Sequence, residues 1–310
     1  MVNFEAGTPN KQAAKSVPGS RKMTLASLFI SEPPCYKGLS PGDSLMTAEI
    51  FVHPDRRPAA FRPLKAWKHM QALIADKEDT EQVFHIIEAL NGNSFERNFW
   101  AFAKTEAGRK LLAEKPYLPP VLDDHSWIRE LPEGTVGRAY IEFMEREGLS
   151  AQGLVDESEK FRSKAREFDD DMKWYGNRLR DTHDLFHVLS GYNRDALGEA
   201  SLLAFTYSQQ PGLGVIFISY VGCRTIAKHS PKKARIMECF REGKRNGAAA
   251  QKIIEQDIIA LMREPLDAAR VRLGIAKPVI YRETLKLLSQ HGYTPTLQPQ
   301  TMTQAEPVAA

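Results

Sequence analysis

Cysteine is scarce: Cys35, Cys223 and Cys239 are three in 310 residues, odd in number and without a CxxC pair. That excludes a disulfide framework and a thiolate zinc site, and it fits a reducing compartment. No run of about 18 apolar residues exists, so no membrane-spanning helix is expected. The first thirty residues lack the continuous apolar stretch of a secretory signal. Lys11, Lys15, Arg21 and Lys22 against Glu5 give them a faint transit-peptide character. They are poor in arginine, however, and Pro9 and Pro18 interrupt any amphipathic helix, so a disordered lead is expected instead. One-sided charge is also missing. The net charge is +3 with 26% charged residues, and no ladder of aromatic and basic residues suggests a nucleic-acid partner. Neither an internal repeat nor a convincing alternation at two residues appears.

Apolar residues, at 42%, are enough for a sizeable core, and their period is helical. Leu64, Trp67, Met70, Leu73 and Ile74 make one stripe after Pro63. Asp79 with Gln82 resembles a capping box for a second helix ending at Asn91-Gly92. Ser94 is the expected N-cap of a third, running to Gly108. Thr135 is expected to cap a helix burying Val136, Tyr140, Phe143 and Met144 and stopping at Gly148. Residues 149–158 read as a linker. A helical pattern starts near Ser158, breaks around Asp169-Asp170-Asp171, and resumes through Met172, Tyr175, Leu179, Phe186 and Leu189 to Gly191. Leu213 to Ala227 is β-branched and apolar; its length favours a helix over a buried strand. Further helices are expected at 231–244, 248–262 and 279–290. The fold class is therefore all-α: a single helical domain over 61–292, with a mostly disordered lead (1–60) and tail (293–310), built around a helix hairpin.

The polar chemistry concentrates in Arg180-Asp181-Thr182-His183-Asp184-Leu185-Phe186-His187, followed by Gly191 and Glu199. On a helix turning about 100° per residue, His187 lies about 40° and Asp184 about 100° from His183. The three share one arc, and imidazoles four apart are a known bidentate metal arrangement. Arg180, one turn earlier, falls in the same arc and can hold an anionic ligand near a cation. Gly191 as a left-handed C-cap and Asp195 as the next N-cap make a short return, bringing Glu199 opposite His187. Two imidazoles and two carboxylates suit Zn, Fe, Mn or Co, with a position left for water or substrate. Blander readings stay open: histidines satisfied within the fold, or Asp184 orienting His187 rather than ligating. A zinc peptidase would carry Glu as general base where Asp184 stands. His53, His69, His85, His125, His229 and His291 show no ligand spacing.

The run His183-Asp184-x-x-His187, eleven residues, then Glu199 resembles the signature of the coenzyme Q biosynthesis protein 4 family. Leu131-Pro132-Glu133-Gly134-Thr135-x-Gly137-Arg138-x-Tyr140, Gly198-Glu199, Arg245-Asn246-Gly247 and Leu273-Gly274-Ile275 follow the family's order, over about residues 60–277. Ala248-Ala249-Ala250 departs from it, where basic residues and a proline are expected. The resemblance implies an all-helical fold and a divalent metal (zinc, or Fe, Mn or Co if redox-active) held by His183, Asp184, His187 and Glu199. It implies action on a polyprenylated hydroxybenzoate lipid: removal of the C1 carboxyl coupled to hydroxylation, by a metal-dependent oxidative decarboxylase. The alternative is a non-catalytic lipid-binding scaffold organising other ubiquinone biosynthesis proteins. It implies a peripheral place on a membrane surface, the inner plasma membrane of a bacterium or the mitochondrial inner membrane of a eukaryote, and leaves room for a homodimer. Zinc has no accessible redox couple, so oxidation needs a redox-active cation or an electron-rich phenol that reduces dioxygen itself. Asp184, Arg180 and Arg138 are the candidate catalytic residues, either guanidinium matching the departing carboxylate bidentately or serving only an ion pair within the fold. Leu213 to Val221 can line a groove for the polyprenyl tail or form plain core.

Overall fold

The computed structural model of the chain describes residues 49–162 and 168–295. Most of the expected lead and tail, residues 1–48 and 296–310, lies outside them. The described residues contain sixteen α-helices, a 3-10 turn and no β-strand. In chain order, α1 (Pro63–Ala75) packs on α2 (Thr80–Asn91). Then come α3 (Ser94–Ala103), α4 (Glu106–Glu114), α5 (Pro119–Asp123), α6 (His125–Arg129), α7 (Val136–Glu147) and α8 (Ala151–Arg162). The helices α9 (Asp171–Asp181), α10 (His183–Ser190), α11 (Ala196–Gln209), α12 (Leu213–His229) and α13 (Ile236–Ala249) form the middle of the domain. A 3-10 turn (Ile253–Glu255), α14 (Ile258–Arg263), α15 (Leu266–Leu273) and α16 (Val279–Gln290) close it.

The core is organised around α11. Leu197, Leu202, Ala204 and Phe205 are fully buried, and α10, α12, α13 and α16 pack around the helix. Apolar residues on all sides mark a helix at the centre of its domain. Burial of Phe205 alone contributes about 1.5–3 kcal/mol. The close approach of α13 depends on glycine: a Cβ on Gly243 would stand 2.3 Å from the Ser201 carbonyl oxygen, and one on Gly247 2.3 Å from that of Phe205. Two satellite clusters flank this core. Phe99, Phe102, Leu111, Leu112, Met172 and Tyr175 form one, and Met70, Leu73, Ile86, Leu90 and Ile218 lie in the other.

Residues 49–62 precede α1 without regular structure, yet they are tied to the start of α9. Asp170 caps that helix at Lys173 and accepts from the His53 backbone and from two nitrogens of Arg56. Asp171 accepts from the Phe51 backbone N–H (2.9 Å) and pairs with Lys115 at 2.6 Å.

Several element boundaries differ from expectation. The linker over 149–158 is mostly helix α8, whose first N–H groups donate to Asp123 (2.7 and 2.8 Å). Leu64 and Trp67 are 85% and 47% exposed, so the α1 stripe is buried only at Ala66, Met70 and Leu73. The third helix stops at Ala103; Thr105 caps a separate α4 by accepting from the Gly108 N–H. No helix spans 248–262, because the chain turns through the 3-10 segment to satisfy buried Gln209, which bonds the Gly247 and Ala250 carbonyls and the Ile253 N–H. The helix expected from Met172 to Gly191 is broken at Thr182, where φ −94° and ψ −1° separate α9 from α10. No helix among the described residues is long and apolar enough to cross a membrane.

Candidate metal centre

Thr182, fully buried, donates from its hydroxyl to the Arg178 carbonyl (2.8 Å) at the junction of α9 and α10. The eight residues of α10 then carry His183, Asp184 and His187, which each offer a ligand atom within 4.8 Å of the others. Gly191 ends the helix in the left-handed region (φ 76°), its N–H donating to the His187 carbonyl at 2.8 Å. Glycine takes that conformation without strain. Asp195 caps α11 through the Leu197 and Gly198 N–H groups, and the return brings Glu199 Oε1 to 3.4 Å from His187 Nε2.

The residues fit a cation, and His187 is the reason. Its Nδ1 is 2.8 Å from the Tyr192 carbonyl oxygen. A carbonyl can only accept, so Nδ1 carries the proton and Nε2 is left as the lone pair. Nε2 is buried without a hydrogen-bond partner, since Glu199 stands beyond ordinary hydrogen-bond length. A carbonyl behind one imidazole nitrogen is the usual support for a metal-ligating other. The Asp184 and His183 side chains make no hydrogen bond among the described residues and open onto the cleft instead. Phe143 of α7 stacks on the His187 ring at 5.3 Å, and His183 meets it edge-on at 5.1 Å.

Electrostatics agree. Burial pushes the His183 pKa down, with His187 adding to the shift, so His183 is neutral. Burial works against charge on His187, but the Glu199 carboxylate overcomes it and raises the His187 pKa. Burial likewise opposes charge on Glu199; His187, then His183 and Arg194, pull its pKa down to about 2. Without a cation the Glu199 carboxylate thus favours a second proton on His187, at Nε2, and a metal held there would take that proton's place. Burial, and after it the Asp184 charge, pushes the Tyr140 phenol far above its ordinary value. Tyr140 therefore stands neutral beside the group. Thr135 caps α7, and Val136 and Leu266 exchange backbone bonds with Glu264 and Gly134. This is the structural work of the Leu131–Tyr140 motif: it anchors the helix that supplies Phe143 and Tyr140.

His183, Asp184 and Glu199 line a cleft of about 500 Å³. Its walls are Met70 and Leu73 of α1, Val83 of α2, Leu154 of α8, Leu203 of α11, and Ile218 and Gly222 of α12. The two readings of the apolar α12 run therefore divide by residue: Ile218 and Gly222 face the cleft, while Gly214 packs against the α2 backbone. Arg180 and Arg138 do not line it. Arg180 turns to Asp181 and Ser158 instead, donating to each at 2.8 Å. Arg138 donates to the Arg129 carbonyl (2.8 Å). Sequence reasoning missed Lys77 and Arg194, the cations that do line the cleft. Arg194 lies beside the Asp195 cap, in the return that places Glu199, and that adjacency was the available signal.

A family model described as coenzyme Q (ubiquinone) biosynthesis protein Coq4 matches residues 64–279. The chain is similar to the mitochondrial ubiquinone biosynthesis protein COQ4 of Ajellomyces capsulatus, 27% identical over 58% of this chain and 62% of that one. It is similar to that of Neurospora crassa, 29% identical over 58% of this chain and 49% of that one. These matches span less than two thirds of either relative. A crystal structure of a candidate ubiquinone biosynthesis protein from Nostoc punctiforme shares the fold, with TM-score 0.51 and 23% identity over 69% of this chain and 98% of the other.

Proposed function

From its membership of the Coq4 family of coenzyme Q (ubiquinone) biosynthesis proteins, to which this chain belongs, we propose that it is a metal-dependent enzyme that oxidatively decarboxylates a polyprenylated hydroxybenzoate at C1. The observation that carries the reading is the buried His187 Nε2, grouped with His183, Asp184 and Glu199 where these three line a cleft with apolar walls on one side and charged residues on the other. A divalent cation held by these four residues would polarise the ring carboxylate as a Lewis acid and, if iron or manganese, could pass electrons to dioxygen. The Tyr192 carbonyl keeps the proton on His187 Nδ1. The apolar walls exclude water and accept the first isoprene units of the tail.

The reaction balances with dioxygen alone. A 4-hydroxybenzoate ring and one O₂ give the 1,4-quinone, CO₂ and one water, the electron-rich phenol supplying all four electrons. Phe61, Leu64 and Trp67, exposed where α1 begins, support contact with the membrane surface that holds such a lipid. The test is turnover of a short-chain prenylated 4-hydroxybenzoate in air by protein loaded with Fe, Mn, Co or Zn. The expected result is one CO₂ per O₂ consumed and a quinone product. No CO₂ with any cation would overturn the enzymatic reading and leave the lipid-binding scaffold.

A further inference from the structure

The cleft holds four carboxylates, Glu78, Glu157, Asp184 and Glu199, against two cations, Lys77 and Arg194. A divalent cation brings this set to balance. The two cations are not equivalent. Lys77 is near the outside and is ion-paired with its neighbour Glu78. Arg194 reaches inward. Its Nε is 3.6 Å from Glu199 Oε1, the same oxygen that faces His187, and its Nη2 is 3.3 Å from Glu78 Oε2. Its guanidinium thus bridges a carboxylate at the floor and one at the mouth.

A bound cation would compete for those partners: Glu199 would share its charge with the metal, while Glu78, whose side chain is 58% exposed, already shares Lys77. The Arg194 fork is then the nearest guanidinium to a ligand lying against the cation. Planar, two-point pairing is what a guanidinium offers a carboxylate and an ammonium does not. Arg180 and Arg138, the other candidates, are held elsewhere by Asp181, Ser158 and the Arg129 carbonyl.

We propose that Arg194 is a specificity-determining residue: it pairs with the ring carboxylate of the bound lipid and so selects substrate over decarboxylated product. This rests on the proposed substrate class. Loss of the carboxylate removes the pairing, and Arg194 falls back to Glu78, which favours product release.

The test is equilibrium binding to Zn-loaded protein without dioxygen, so that no turnover intervenes. The probes are a geranylated 4-hydroxybenzoate and the geranylated phenol lacking the carboxyl. Wild type is expected to bind the benzoate at least about tenfold more tightly, the scale of a charge-assisted pair. Arg194→Gln lowers that preference by about tenfold, to the share the zinc itself gives the carboxylate, and leaves phenol affinity and zinc stoichiometry unchanged. Arg194→Lys keeps part of the preference, and Glu78→Gln keeps it whole. A preference undiminished in Arg194→Gln overturns the proposal, as does a variant that loses zinc or weakens both probes alike. Wild type that binds both probes equally overturns only this inference. Wild type that binds neither overturns the proposed substrate class and this inference with it.

Discussion

Two clusters of buried acid stand at neighbouring helix starts, and they are built on opposite principles. At the start of α9, the Asp170 side chain is fully buried and receives four hydrogen bonds: from the His53 and Lys173 backbones and two from Arg56. Burial alone would raise its pKa, but Arg56 and the two backbone donors outweigh it and hold it low. At the start of α10, the Asp184 side chain opens onto the cleft with no hydrogen bond from the described residues, while His187 Nε2 faces only the Glu199 carboxylate, at 3.4 Å. A carboxylate whose lone pairs are met by protein donors belongs to the fold. Lone pairs converging on one another call for a cation from outside, since uncompensated burial of charge is costly.

The strongest way to break this comparison is to remove one member of each cluster. His187→Ala and Asp184→Asn are expected to reduce bound metal to near zero and to lower turnover more than about 100-fold. The melting temperature of the cation-free Asp184→Asn protein should hold, because the carboxylate opens onto the cleft and makes no hydrogen bond that the fold would lose. Metal analysis and calorimetry check both; global unfolding of either variant would make the metal group structural. Asp170→Ala is the converse. It strands the partly exposed Arg56 and the α9 cap, and should cost about 3 kcal/mol in denaturant unfolding while metal stoichiometry stays intact.

The next contrast is with pH. In cation-free protein the His187 pKa lies above its ordinary 6.5. Its contribution to stability is full below that value and is lost as pH rises through the elevated one. Cation-free melting temperature should therefore fall over that rise. Zinc affinity should climb over the same interval by about tenfold per pH unit, the slope for one displaced proton. Calorimetry with and without zinc reads both signs. Arg180→Gln should cost about 1–2 kcal/mol through its buried bonds to Asp181 and Ser158 without changing zinc affinity. Arg138→Gln, on the surface, should shift unfolding by less than about 0.5 kcal/mol and leave both zinc and lipid binding alone.

Much of the fold was legible because amphipathic helices advertise themselves. Met70 and Leu73, Val136 and Tyr140, and the Gly148 and Gly191 stops stand where period and capping place them. Glu199 was legible too, since a left-handed glycine and an Asp cap define a short return. Ala151–Arg162 was not, because its start is capped by Asp123 from another helix rather than by a local residue. The break at Thr182 was equally hidden: the apolar period continues across it, and only the backbone at φ −94°, ψ −1° marks the junction.

By itself the sequence determined the helical class and the convergence of His183, Asp184 and His187 on one short helix, because hydrophobic period, caps and residue spacing act within one or two helical turns. Only the tertiary structure decided what surrounds that group: the cleft walls from α1, α2, α8 and α12, the carbonyl behind His187, and the choice of Arg194 over Arg180. The direction in which a side chain points across a domain depends on helix packing and on breaks such as Thr182, and those are set by contacts between residues far apart in the chain.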